Sequence, residues 1–226
     1  MKDNCNSMNY LIKSLVSVLV LCVFLSCGDG KKYHDAKENI VLEAETNTLA
    51  SILAFQEKLN QEFRDPKTSP LPDRYRKDFE ALDFFAPDTS YSVWAKLTRT
   101  PDAVPFLMPT NTDRLSKELV YGTLTFTLKG KSYQLEVYQN EELLLEEGFE
   151  DYLFLPFTDA TNGKETYGGG RYIDLRIPES DSIKIDFNRA YNPYCAYNKK
   201  YSCPLVPPVN ALNVPVYAGV KAFEKE

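Results

Sequence analysis

In several runs between residues 91 and 187 an apolar side chain recurs at every second position, the spacing that gathers them on one side of a β-strand. Tyr91, Val93, Ala95 and Leu97 make one run. Gly122, Leu124, Phe126 and Leu128 make another, which turns at Lys129-Gly130-Lys131-Ser132 into Tyr133, Leu135 and Val137 and so predicts a hairpin. Residues 152–157 are almost unbroken in apolar character and suit a central strand, limited in reach by Pro156. Ahead of the strands the period changes. Leu42, Leu49, Ile52, Phe55, Leu59 and Phe63 fall near one face of a helix over 38–63, which ends where Arg64-Asp65-Pro66 forbids continuation. Its other face carries Glu43, Glu45, Glu57 and Glu62, which anionic lipid would repel, so it is expected to pack on its own domain. A short helix follows Asp73, with Tyr75, Phe79 and Leu82 on one side. The fold expected is mainly β with an N-terminal helix, an antiparallel sheet forming a sandwich or partial barrel, in a single domain over 38–226.

Residues 171–177 and 183–187 also alternate, around the turn-forming Pro178-Glu179-Ser180-Asp181-Ser182. Pairing them about that turn sets Ile177 against Ile183, Leu175 against Ile185 and Ile173 against Phe187, one wholly apolar face. The opposite face then pairs Arg176 with Lys184, Asp174 with Asp186 and Tyr172 with Asn188. Facing carboxylates beside facing cations are disfavoured in a sheet unless something is gained. Three readings stand open: an exposed face whose diagonal attractions offset the repulsion; a hard-cation site, calcium for example, built from Asp174, Asp186, Asn188 and Asn192; and a catalytic pair with split pKa values, as glycoside hydrolysis requires without histidine.

Next to this pair lie two segments that could grip a ligand. Residues 158–170 form a polar loop ending in Gly168-Gly169-Gly170, which would let backbone approach a ligand or a neighbouring strand but matches no dinucleotide or P-loop pattern. Residues 189–194 mix guanidinium, amide and phenol groups, equally suited to holding a ligand and to plugging the end of a sheet. A binding module would draw its pocket from Gly169, Arg171, Tyr172, Asn188, Tyr191 and Asn192. Beyond Cys203 the prolines at 204, 207, 208 and 215 impose an extended path outside the domain, with residues 214–218 as a last edge strand.

Composition narrows the partners. A formal charge of -6 and no basic stripe argue against nucleic acid, and the one histidine, His34, removes most Ser/His, Cys/His and zinc chemistries. Lys2 and Lys13, a short apolar run over 15–25, and Phe24-Leu25-Ser26-Cys27 resemble a bacterial lipoprotein signal. On that reading residues 1–26 are removed, Cys27 carries lipid, 27–37 form a tether, and the domain sits at the cell envelope on the outer-membrane or periplasmic face. Cys195 and Cys203 are then the remaining thiols of the mature chain. They are a disulfide candidate worth about 2.5 kcal/mol, or soft metal ligands, or buried free thiols.

Several strings together carry a family resemblance: Phe157-Thr158-Asp159-Ala160-Thr161-Asn162-Gly163, Thr166-Tyr167-Gly168-Gly169-Gly170-Arg171-Tyr172, Asp186-Phe187-Asn188-Arg189-Ala190-Tyr191-Asn192-Pro193 and Cys195-Ala196-Tyr197, continued by Cys203-Pro204, Pro207, Asn210 and Ala218-Gly219. They are similar to the signature of domain-of-unknown-function family 1684. Val220 stands where an acidic residue usually follows the last Ala-Gly. The resemblance implies an envelope or secreted protein and brings no activity with it. The expected function is a lipid-anchored binding or structural module; its competitor is a glycan hydrolase acting through Asp174 and Asp186.

Overall fold

The computed structural model describes residues 49–223. The signal segment, Cys27, the tether and the start of the expected first helix, Leu42 included, lie outside the described residues.

Helix α1 (Leu49–Arg64) buries Ile52, Leu59 and Phe63 and ends where the proline requires. A four-residue helix α2 (Asp73–Arg76) follows. The strands are β1 (Ser92–Arg99), β2 (Phe106–Pro109), β3 (Leu115–Leu128), β4 (Lys131–Asn140), β5 (Tyr152–Phe157), β6 (Arg171–Arg176) and β7 (Ser182–Asp186). They form one antiparallel sheet in the order β6-β5-β4-β3-β1-β7, with β2 pairing β3 off this path. The sheet curls into a half-barrel.

The β3–β4 hairpin forms as its sequence predicts. Lys129 and Gly130 take the turn at φ 48° and 79°, the left-handed pair a two-residue hairpin loop needs. Inside the curl, Leu97, Leu124, Phe126, Leu135, Leu153, Leu155, Ile173, Ile183, Ile185 and Phe187 share one core. Each such side chain contributes about 1.5–3 kcal/mol on leaving water. A second apolar layer covers part of the outer face. Phe63 of α1 meets Tyr197 edge-on at 4.7 Å, and Phe154 meets Tyr172 in the same way at 4.7 Å.

A bulge in β3 decides which side chains face which layer. The pairing with β4 shifts between Val120 and Gly122, so one extra residue turns the strand over. Beyond it Leu124 pairs Leu135 in the inner core; before it Val120 pairs Tyr138, which belongs to the outer layer. Gly122 is required there, since a Cβ would stand 2.6 Å from the Thr98 carbonyl oxygen.

Two expectations are corrected. Residues 171–177 and 183–187 do not form a hairpin: β6 pairs β5, β7 pairs β1, and they end opposite sides of the strand order. The inner faces were read correctly, because alternation fixes the face of a strand but not its neighbour. Residues 214–218 form no strand and do not lie outside. Val216, Ala218 and Val220 are buried, because their carbonyls serve a guanidinium described below.

Candidate functional site

The expected carboxylate pair is not assembled. Asp174, on β6, accepts hydrogen bonds from the hydroxyls of Tyr152 at 2.7 Å and Tyr191 at 2.6 Å. Asp186 closes β7 and caps the turn after it, accepting from the Asn188 amide N–H at 3.1 Å and its side-chain Nδ2 at 2.8 Å. With β6 and β7 at opposite ends of the sheet, neither the facing catalytic pair nor a calcium cluster joining Asp174 to Asp186, Asn188 and Asn192 is formed. Among the described residues no group of three or more His, Cys, Asp or Glu is placed to hold a metal ion.

Most of the residues expected to bind a ligand are instead held by other parts of the chain. After β7 the chain crosses the open side of the curl, and Tyr191 exchanges backbone hydrogen bonds with Tyr172 at 2.9 and 3.0 Å. The Tyr172 hydroxyl donates to the Pro204 carbonyl. Asn188 donates to the Asp88 carbonyl and accepts from the Asp88 N–H, tying this segment to the start of β1. Asn192 donates to the Lys221 carbonyl at 2.8 Å and to the Tyr197 hydroxyl at 3.3 Å. This is the plug reading of residues 189–194.

Arg171 is the centre of that construction. Its side chain is fully buried and pairs with the equally buried Asp159 at 2.8 Å. The guanidinium also donates to the carbonyls of Val216, Ala218 and Val220, while Asp159 accepts from the Val216 N–H and from Thr161. Burial pulls the Arg171 guanidinium below its ordinary pKa and Asp159 opposes this. Gly169 is exposed and lies against Tyr167, whose ring would be 2.5 Å from an added Cβ. Gly170, at φ 89°, fits between Val206 and the Phe157 carbonyl. The glycine run serves close packing of chain on chain.

Cys195 and Cys203 stand as free thiols in this structure, one of the three readings left open for them. They are nevertheless neighbours: the Cys195 N–H donates to the Cys203 sulfur at 3.2 Å. The hydrogen bond from Cys203 lowers the Cys195 pKa and raises that of Cys203, to which burial adds. Burial, with Cys195 alongside, pushes the Tyr167 phenol up to about 12.

The described residues hold a pocket that the sequence did not announce. It encloses about 80 Å³ on the outer face, where the first half of β3 meets the end of β4 and the Ser202–Pro204 segment. The bulge in β3 turns Ser116 and Glu118 to this side. Glu118, only 2% exposed, accepts through Oε1 from Ser116 Oγ at 2.7 Å and Asn140 Nδ2 at 2.8 Å. Its Oε2 is buried without a hydrogen-bond partner. Burial pushes the carboxyl above the ordinary carboxylate range, against the lowering effect of those two hydrogen bonds and of Arg114; Glu142 pushes the same way as burial. Arg114 stands at the rim with its fork on Ser202, Nε to Oγ at 2.9 Å and Nη2 to the carbonyl at 3.0 Å. Tyr152 and Phe154 supply aromatic wall, and Glu142 and Glu146 lie at the mouth. No sequence signal reveals this, because in Leu115-Ser116-Lys117-Glu118 the usual polarity is inverted: Leu115 is 52% exposed while Ser116 and Glu118 are buried.

Comparison with known proteins agrees with the fold and leaves the chemistry open. The solution NMR structure of an uncharacterised protein of Haloarcula marismortui is similar, with 34% identity over 76% of this chain and 92% of that one, at a TM-score of 0.60. No curated protein matches the chain. A family profile described as "Protein of unknown function (DUF1684)" matches residues 77–221, which takes in β1 through β7, the Arg171 plug and the Glu118 pocket, and the chain belongs to that family.

Proposed function

We propose that this chain is a lipid-anchored cell-envelope protein whose domain is a binding module, with the pocket around Glu118 as its ligand site. The observation that carries the reading is the unpartnered Oε2 of a carboxyl that is otherwise buried and hydrogen-bonded. A buried acceptor without a partner costs about 1–3 kcal/mol, more for a charged group, and folds retain such a group where something else completes it. The same group sits in a concave site with aromatic wall and a few converging polar atoms, the usual make-up of a small-molecule site.

Anchoring rests on Leu25-Ser26-Cys27 following a basic start and a short apolar run. No described helix is long and apolar enough to cross a membrane. Acyl chains at Cys27 would contribute about 0.8 kcal/mol per buried CH₂, enough with two or three chains to hold an acidic protein at a bilayer. Replacing Cys27 by Ala should move the protein from the membrane to the soluble fraction and abolish incorporation of labelled fatty acid.

The pocket is tested by a chemically mixed fragment screen on the full chain, read by thermal shift and by NMR. Binders should raise the melting temperature and perturb the resonances of Tyr152, Phe154 and Leu143. A screen in which cations, anions and neutral molecules all leave those resonances unmoved would remove the site.

A further inference from the structure

The charge around the pocket and the state of each polar group in it select one class of ligand. Three carboxylates, those of Glu118, Glu142 and Glu146, face one guanidinium, that of Arg114. That guanidinium already spends its fork on Ser202, so an anion entering the pocket would meet net negative charge and a committed cation. Among the buried side-chain polar atoms of this lining the one without a partner is an acceptor, Glu118 Oε2; it is closed to water, so a donor meets it once the Glu118 carboxyl turns toward the pocket. Tyr152 and Phe154 present ring surface beside it, which attracts cations and packs on methylene groups.

We propose, resting on the binding-module reading above, that the pocket takes the end of a primary alkylammonium, with the ammonium on Glu118 Oε2 and its methylenes along Tyr152, Phe154 and Leu143. Size agrees with charge. A dry cavity of about 150 Å³ accommodates benzene. The roughly half-sized space here holds an ammonium and a few methylenes, and the remainder of the ligand extends out past the exposed Glu142 and Glu146. Ligands of this shape include the tip of a lysine side chain on a peptide and the end of a linear polyamine. Glu142 and Glu146 are exposed and contribute by attracting the cation to the mouth; Glu118 supplies the hydrogen bond that distinguishes an ammonium with N–H donors from a quaternary one.

The experiment is an NMR titration of the full chain in neutral detergent with four probes of similar size: n-butylammonium, tetramethylammonium, n-butanol and butyrate. Butylammonium should perturb the resonances of Tyr152, Phe154 and Leu143 and bind at least tenfold more tightly than the other three. Glu118→Gln should weaken it by about ten- to a hundredfold, the worth of one hydrogen bond to a charged group, while Glu142→Gln weakens it only slightly. Butanol or butyrate binding as well as the amine would overturn the assignment of ligand class and leave the pocket standing as a site. Equal binding of butylammonium and tetramethylammonium would overturn the role given to Oε2. If no probe moves the pocket resonances, this proposal and the binding-module reading fall together.

Discussion

Arg171 and Glu118 are both charged residues buried on β-strands, and they differ in how completely their neighbours satisfy them. The Arg171 guanidinium has Asp159, twelve positions away, and the carbonyls of Val216, Ala218 and Val220, more than forty positions away; both terminal nitrogens are bonded and its Nε alone has no partner. The Glu118 carboxyl has two donors on one oxygen and none on the other. A low-dielectric interior makes each made bond stronger and each missing one more costly. The contrast separates a residue whose charge is spread over four partners from one whose bonds fall on a single oxygen, the one proposed above to take a ligand, although both look alike as a charge in a strand sequence.

The largest effect is expected where the satisfied ion pair is broken. Arg171→Leu leaves Asp159 buried without its partner and strips donors from three carbonyls, so it should cost about 3–5 kcal/mol in urea unfolding. Replacing Asp159 by Asn and Arg171 by Met together should cost much less than the sum of the two single changes, since an uncompensated charge is then no longer buried. Additive losses would mean that the two residues stabilise the fold independently.

Gly219 belongs to the same assembly and gives the next effect. It sits at φ 79°, where an added Cβ would meet the Ala190 carbonyl oxygen at 2.6 Å and that of Phe187 at 2.8 Å. Gly219→Ala should cost about 2–3 kcal/mol, from left-handed backbone strain and displacement of that backbone. Gly130, at φ 79° with nothing within 4 Å, supplies the control: Ala there should cost about 1 kcal/mol, the conformational part alone. Equal shifts of the two urea midpoints would remove the packing role given to Gly219.

A smaller loss, about 1–2 kcal/mol, is expected from Asp174→Asn, because Tyr152 and Tyr191 both donate to Oδ1 and an amide oxygen there accepts without charge. This substitution also bears on how far the sequence could be read. Alternation placed Ile173, Leu175, Ile183, Ile185 and Phe187 on the inner face correctly, since side-chain direction in a strand is a local property. Which strand lies next to which is not local. The turn at 178–182 suggested a hairpin, but the open side of the curl is crossed by residues 187–191, whose backbone pairs with Tyr172. Asp174 therefore meets two tyrosines instead of Asp186. The candidate site suffered from a different blindness. A bulge at residues 120–122 turns β3 over while leaving its even-numbered positions other than Val120 buried, so a Glu that reads as solvent-facing is 2% exposed. Whether Cys195 and Cys203 meet was left open by their spacing, and they do; their chemical state does not follow from it.

The finest test of the comparison is a pH profile at Glu118. Desolvation by burial is the leading cause of its raised pKa, from an ordinary value of 4.5, so the folded protein holds that proton more tightly than the unfolded chain does. The stability this provides is fully present below 4.5 and is lost as the pH rises through the higher folded value. Glu118→Gln keeps the shape of the protonated carboxyl and does not titrate. The melting temperature of the variant should therefore match the native protein in acid and exceed it increasingly as the pH rises, levelling off once the native carboxyl has ionised. The groups that could alter this face it from several directions: Arg114 from just before β3, Asn140 from β4, Glu142 from the turn beyond it, and the phenols of Tyr138 and Tyr172, which feel its charge. If Arg114 held the carboxylate as firmly as Asp159 holds Arg171, the variant would instead lose stability as the pH rises. Glu118 would then be a second structural ion pair, and the contrast between the two buried charges would vanish.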